Sequence, residues 1–554
     1  MNVSANTPHI EYFYHWEKTT PDAIFLKQPF GAIYKDFTFA EAGRQARIMA
    51  TYLNSIGLPP SSHVAIISKN CAEWFIADLA IIMSGHVSVP TYATLTADQL
   101  NQVLVHSDSK VGFVGKLDGY NAMKAGLPAD MKCISFPEYN PDPSHVQWND
   151  ILASHEPMKG DHSPKLDDLW TIKYTSGTTG NPKGVMLSYK NVAECIDKTS
   201  HMTFVKESGN KFFSYLPLSH IAERNIVETV SIISGGTVYF ADTLESFAKN
   251  LADASPTHFL AVPRIWTKFH LGILAKMPQK KLDLFLKIPI LNSIVKKKIR
   301  TGLGLSTAKI LLTGAAPMPE SLIRWYRKLG IVIQEAYGMT ENAGAVTMMP
   351  TSKIKDGSVG KIYPGMEVKL DSVTGEILTK SEWNMVGYYK EPKMTAETID
   401  EAGWLHTGDV GVVDADGYLK ITGRVKEMYK TSKGEYVAPA QLEFGFADNN
   451  NIEQICVVGQ SIPQPIALVV LSEMGAALEE SELMDSLKQT LKSVNSVCKS
   501  HERIETMVIM KEPWNVENNK LTPTFKIKRN IIEKEFEANF ENWYEAKEKV
   551  IRQG

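Results

Sequence analysis

Cysteine is scarce: five (Cys71, Cys133, Cys195, Cys456 and Cys498) are scattered over 554 residues. No CxxC pair and no Cys/His spacing of a metal module occurs among them, which excludes a disulfide framework and predicts reduced, mostly buried thiols. Long apolar runs are also lacking. Nowhere do about 18 apolar residues follow one another, so no membrane-crossing helix is expected. The opening, MNVSANTPHIEYFYHWEKTTPDA, has neither the basic start nor the apolar run of a secretory leader. There is no excess of charge: 59 basic and 62 acidic residues leave −3, which gives no general pull toward nucleic acid and confines any basic surface to a local patch. No repeat with a period of about 20–50 residues and no low-complexity tract is visible. What remains is a globular chain expected in the cytoplasm, with 44% hydrophobic residues to build a large core and a length that predicts more than one domain.

From residue 23 to residue 115 short apolar runs alternate with amphipathic stretches, a pattern that predicts a parallel sheet covered by helices. In 39–53, Phe39, Ala42, Ala46, Met49, Ala50 and Leu53 recur at three- and four-residue steps, one face of a helix. Thr38 with Glu41 and Thr96 with Gln99 read as capping boxes, and Asn70 with Glu73 resembles one.

Residues 161–168 form a polar linker into YTSGTTGNPKG at 174–184. Glycine and proline interrupt helix and strand alike, so this is a loop, entered from a β-branched, aromatic strand at 169–174 and left toward a second strand or the helical composition of 188–199. Small residues whose amides turn inward, hydroxyl donors and the charge of Lys183 together suit a polyphosphate. A Walker A loop would need Gly-Lys-Ser/Thr, and here Lys183 stands between Pro182 and Gly184, so that reading fails. KILLTGAAPMP (309–319) reads as a buried strand into a tight turn of small residues, QEAYGMTENAG (334–344) clusters an aromatic, a hydroxyl and a carboxylate, and EAGWLHTGDVGVVDADGYLKITGRVKEMYK (401–430) holds a hairpin turn at Asp414, Asp416 and Gly417. The strand in ASPTHFLAVPRIW (254–266) is expected to end at Pro263. Beyond Arg424 the pattern changes: strands at 452–458 and 465–471 and helices around 481–494 and 529–546 suggest a small separate domain.

In this order the motifs resemble the AMP-forming adenylating enzymes, the superfamily of acyl-CoA synthetases, luciferase-like enzymes and peptide-synthetase adenylation domains, and the 401–430 stretch resembles the fatty-acyl-CoA synthetases in particular. The resemblance runs from about residue 20 to residue 532. It implies an α/β fold: a large N-terminal domain of helix-covered mixed and parallel sheets (1–424) and a small α+β C-terminal domain (425–554) on a hinge near Lys426. It implies ATP bound by Thr175, Ser176, Gly177, Thr178, Thr179, Gly180 and Lys183, adenine held by Gly314, Ala315, Ala316, Tyr337 and Gly338, phosphate met by Thr340, Mg2+ held by Glu341, and ribose and phosphate contacted by Asp409 and Arg424. Lys526, in NKLTPTFKIKRNII, takes the place of the catalytic lysine, although Phe525 stands where many members have glycine. Gly434 lies in the loop that meets CoA. His220, in LPLSHIAER, falls near the carboxylate and the acyl tunnel, but no tryptophan gate follows it: the residues are Ala222, Glu223 and Arg224.

The activity implied is ATP-dependent conversion of a medium- to long-chain fatty acid to its adenylate and then to acyl-CoA. The alternatives are a ligase that loads a carrier protein and a non-catalytic acyl- or nucleotide-binding descendant. One stretch stands apart. Residues 276–300, with Lys276 and Arg300 at its ends, interleave eight cations with leucine, isoleucine, phenylalanine and valine. It reads as a surface helix pair with a solvated face, or as a peripheral contact with the inner membrane surface.

Overall fold

The computed structural model describes residues 2–139, 142–175, 182–203, 205–522 and 526–554. Alternation in the first part produces an eight-stranded sheet with the order Gly387–Tyr388, Lys183–Ser188, Leu169–Thr175, Val87–Thr91, His63–Ile67, Val111–Val114, Lys132–Ser135 and Val146–Gln147. Its strands run parallel from Leu169–Thr175 to Val146–Gln147, whereas Leu169–Thr175 and Lys183–Ser188 pair antiparallel. A nine-stranded sheet is built around Lys211–Ser214, His258–Leu260, Ile310–Thr313 and Gln334–Tyr337, again parallel at its centre. Both sheets contribute to one core with the helices Phe39–Ser55 and Ala72–Met83. The second of these is buried at every position, as a helix apolar on all sides must be.

Local signals set several boundaries. Thr38 accepts from the Glu41 amide, and Thr96 and Gln99 form a complete reciprocal box. Asn70 does not behave as the sequence suggests. The Ala72–Met83 helix has no side-chain cap; its first amide is taken by Gln28 Oε1 at 3.0 Å, and Asn70 instead donates to Ser214 Oγ (2.8 Å) and Leu216 O (2.7 Å) while accepting from Leu218 N (3.2 Å). A side chain able to donate and accept at once is used to tie two segments rather than to end a helix. Likewise Pro263 opens the helix Pro263–Lys276, since its missing N–H costs nothing in a first turn; the strand before it stops at Leu260. After residue 182 both alternatives occur in turn, a strand Lys183–Ser188 and then a helix Tyr189–Thr199 capped reciprocally by Ser188 and Asn191.

A four-stranded antiparallel sheet (Glu367–Leu370, Glu376–Lys380, Leu405–Val413, Leu419–Arg424) closes the large part. The remainder packs two apolar clusters of its own on either side of a second four-stranded sheet, Ile452–Val458, Ile466–Leu471, Met507–Ile509 and Val550–Arg552. The architecture is a large mixed α/β body and a smaller C-terminal domain. Among the described residues no helix is long and apolar enough to cross a membrane.

Candidate active site

The C-terminal ends of parallel strands open onto a cleft of about 3020 Å³ between the large body and the small domain. This is where open α/β sheets expose their functional loops. Ile310–Thr313 delivers Gly314, Ala315 and Ala316, and the neighbouring Gln334–Tyr337 delivers Tyr337 and Gly338; all five border the cleft. Ala315 is held at φ +65°, a left-handed turn that swings the chain back across the strand end. Gly338 is required by the backbone: a Cβ there would lie 2.2 Å from the carbonyl carbon of Gly344.

The hairpin turn at 414–417 sets Asp409 directly across from Arg424. Arg424 Nε meets Asp409 Oδ1 at 2.9 Å, and Tyr337 donates its hydroxyl to Asp409 Oδ2 at 2.8 Å. Burial drives the Tyr337 pKa far up, with the Asp409 charge adding to it, so the phenol keeps its proton for that bond. Asp409 is thus fixed from two sides and still has lone pairs facing the cleft.

Thr340 and Glu341 lie in one turn of 3-10 helix, Thr340–Asn342, both nearly enclosed. Glu341 Oε1 accepts from Tyr388 at 2.8 Å, and the Lys183 ammonium sits 5.5 Å over the Tyr388 ring. Burial raises the Glu341 pKa, while Tyr388, Lys183 and Arg424 pull it down. Tyr388 is a site residue that the sequence reading missed; it stands 47 positions from its partner, and nothing local in VGYY marks it. No group of three His, Cys, Asp or Glu side chains able to cage a metal occurs among the described residues. A buried single carboxylate bordering a cleft nevertheless fits Mg2+, which is held by one or two carboxylates together with substrate phosphates and water.

His220 caps a short helix by accepting the Ala222 amide at Nδ1 (3.3 Å), which leaves the proton on Nε2. Burial, then Lys526 and Lys173, push its pKa down to about 3. It is a neutral donor bordering the cleft. Lys526 comes from the small domain and borders the same cleft. Solvent reaches this side chain, yet the surrounding protein and the Arg424 charge lower its pKa, with Asp409, Glu341 and Glu427 opposing.

The cleft is also lined by the apolar side chains of Cys195, Ile196, Ile226, Val230 and Met348, the first two from the Tyr189–Thr199 helix and the next two from the π-helical turn Arg224–Thr229 and the residue after it. Arg224 does not stand at a gate. It is fully buried, paired with Asp78 and, at 3.1 Å, with Glu228, bonded to Thr171 Oγ1 at 2.8 Å, and stacked 4.1 Å from the Trp170 ring centroid. Lys173 is equally buried and donates to Leu218 O at 3.2 Å.

Gly434 lies apart from these groups. It is at the exposed tip of a two-stranded hairpin (Tyr429–Lys430, Tyr436–Val437), at φ +82°, and does not border the cleft. Thr175 and Lys183 border the cleft; Ser176, Gly177, Thr178, Thr179 and Gly180, expected to meet phosphate, lie outside the described residues.

A family description, "AMP-binding enzyme", matches residues 13–389, and its C-terminal domain description matches 427–548. The chain belongs to the AMP-binding enzyme family. It is 30% identical to "Long-chain-fatty-acid--CoA ligase FadD15" of Mycobacterium tuberculosis, over 95% of either chain. It is 29% identical to "Long-chain-fatty-acid--CoA ligase 5" of Mus musculus, over 93% of this chain and 85% of that one. The fold is shared with the adenylation domain of a carboxylate reductase from Mycobacterium chelonae (TM-score 0.79, 23% identity, 98% and 92% covered). It is shared too with an anthranilate CoA ligase in complex with anthranoyl-AMP (TM-score 0.76, 18% identity, 97% and 98% covered). These matches place the chain among AMP-forming ligases.

Proposed function

We propose that this AMP-binding enzyme is a long-chain fatty-acyl-CoA synthetase. The observation that carries the reading is the convergence of Glu341, Asp409, Arg424, His220 and the small domain's Lys526 on one cleft that is lined elsewhere by apolar side chains. The relatives named as long-chain-fatty-acid ligases support the choice of acid.

A carboxylate is a poor acylating agent because its leaving group would be oxide, and exchange of that oxygen for AMP removes the difficulty. The acid's oxygen attacks the α-phosphorus of ATP and pyrophosphate departs. Lys526 steadies the charge that grows on the transferring oxygens, and the Nε2 proton of His220 orients the carboxylate. Tyr337 and the Gly314–Ala316 turn enclose the base, while Asp409, held by Arg424, takes the ribose hydroxyls. Thr175, Thr340, Lys183 and the 176–180 loop serve the phosphates. Mg2+, held by Glu341, would supply neutralisation of phosphate charge.

In the second half-reaction the CoA sulfur attacks the acyl carbonyl carbon and AMP leaves. Lys526 has no task there. The small domain (425–554) turns about the chain near Lys426, withdraws Lys526 and brings the exposed Gly434 hairpin to the cleft, so one cleft serves two reactions in succession.

The test is AMP release from ATP over fatty acids of increasing length, each with and without CoA. Turnover with long acids that requires CoA supports the reading, and the optimum reports the acyl length that the cleft accepts. Acid-dependent pyrophosphate exchange to which CoA adds nothing would replace it with a carrier-protein ligase.

A further inference from the structure

The basic stretch folds as a helical hairpin, Gln279–Lys287 and Pro289–Gly302, projecting from the end of the helix Pro263–Lys276 that walls the cleft. Its inner face is anchored. Leu282 and Val295 are buried in the core beneath, and Asn292 Nδ2 donates to Leu286 O at 2.6 Å, closing the turn between the two helices. Away from these anchors, Leu284 (56% exposed), Ile288 (41%, at the turn between the helices), Ile290 (75%) and Ile294 (55%) leave four large aliphatic side chains open to solvent, the last two one turn apart on the second helix.

Around the hairpin's tip cations predominate. Lys280 and Lys281 stand one turn before Leu284, Lys287 sits at the turn, and Lys297 and Lys298 follow Ile294 by one turn. All five are exposed, and among the described residues none of them makes an ion pair. The single acid of the hairpin, Asp283, accepts from Gln279 at 2.8 Å.

We propose that this hairpin docks the enzyme on an anionic lipid bilayer, with the four aliphatic side chains entering the interface and the lysines meeting the headgroups. Long lysine stems let the ammonium stay at headgroup level while the adjacent apolar residues go deeper. Charge complementarity singles out this occupant. A second copy would bring an equal set of lysines to the same tip, and a neutral apolar partner would leave the collar without a role. Docking rests on the hairpin alone. Its use, to draw an acid from the bilayer into the cleft beside the Pro263–Lys276 helix, rests on the fatty-acyl reading.

The experiment is vesicle co-sedimentation of the full chain. Vesicles of phosphatidylcholine alone are compared with vesicles that also contain phosphatidylglycerol, at low and high salt. The probes are wild type, Ile290→Ser/Ile294→Ser and Lys297→Gln/Lys298→Gln, with AMP release from an albumin-delivered acid measured on each. Binding that needs the anionic lipid, weakens with salt, and falls about tenfold or more in either double variant, while soluble turnover is unchanged, supports docking. Equal binding to neutral vesicles, binding indifferent to both variants, no binding, or sedimentation of the free protein as a tip-dependent dimer overturns it. Loss of AMP release in wild type with intact binding would strike the fatty-acyl reading and leave docking standing.

Discussion

His220 is neutral because its surroundings forbid the charge, and its Nδ1 is already committed to the Ala222 amide. With a pKa of about 3 it takes up no proton across the working range. His220→Asn should therefore lower kcat/KM by about 10–100-fold, the weight of a hydrogen bond to a charged group. The pH profile should keep its shape; an acid limb that vanishes only in the variant would show that His220 titrates. Lys526→Ala should reduce adenylate formation by about 10²–10³-fold and leave transfer from a supplied acyl-adenylate to CoA intact. Equal loss in both half-reactions would refute the division of labour. Glu335 borders the same cleft, and burial, helped by Glu320 and Asp356, pushes its pKa up from 4.5 to about 8. A carboxyl raised in the folded state costs nothing below its unfolded pKa and costs progressively more as pH rises through that window. Denaturation of Glu335→Gln near pH 6 and near pH 8 should show a gain over wild type that grows with pH, by up to about 1.4 kcal/mol per unit.

Among the elements, the strand end at Tyr337 shows two backbone segments crossing closely at the edge of the cleft. Gly338 passes so close to Gly344 and Ala345 that a methyl group has no room. Gly338→Ala should cost about 1–3 kcal/mol of stability, read as a lower melting temperature, besides any loss of nucleotide affinity. The π-helical turn Arg224–Thr229 poses a different problem. It places a guanidinium between Asp78 and Glu228, against the Trp170 and Trp74 rings, away from water. Removing the cation leaves two buried acids uncompensated, so Arg224→Met should destabilise by about 3–5 kcal/mol. Arg224→Lys should rescue little, because an ammonium cannot serve both carboxylates and lie flat on an indole. Unchanged melting of the lysine variant would contradict this account.

At the scale of the whole molecule, the small domain is clasped to the large body by polar contacts at the cleft rim: Ser321 with Asp448, and Arg264 with Glu453. Such polar clasps are weak enough to exchange. Near the interdomain junction Glu427 lies 3.9 Å from Arg424 and 3.8 Å from Arg529, so it sits between cations of the two domains. If the domains must rotate between half-reactions, Ser321→Cys/Asp448→Cys should, once oxidised, retain pyrophosphate release but form no acyl-CoA, and reduction should restore it. Full turnover in the oxidised form would show that no rotation is needed.

Much of the architecture was legible from local pattern. Strand-helix alternation, the one-sided cap at Thr38, the reciprocal box at Thr96, and the turn that opposes Asp409 to Arg424 all depend on residues a few positions apart, where periodicity and turn chemistry act. Most of the residues that the motif order singled out and the structure describes border one cleft. The sequence did not disclose that Asn70 binds segments 144 and 146 positions away, that Tyr388 holds Glu341, that Lys173 is buried, or that Arg224 belongs to the core. These bonds join strands and loops brought together only by packing of the two sheets. Residue type and order determined what chemistry the chain could carry. Which polar groups lost their water, and therefore which partner and which protonation state each must adopt, was decided by the tertiary structure, because desolvation is a property of neighbours in space and leaves no mark on neighbours in sequence.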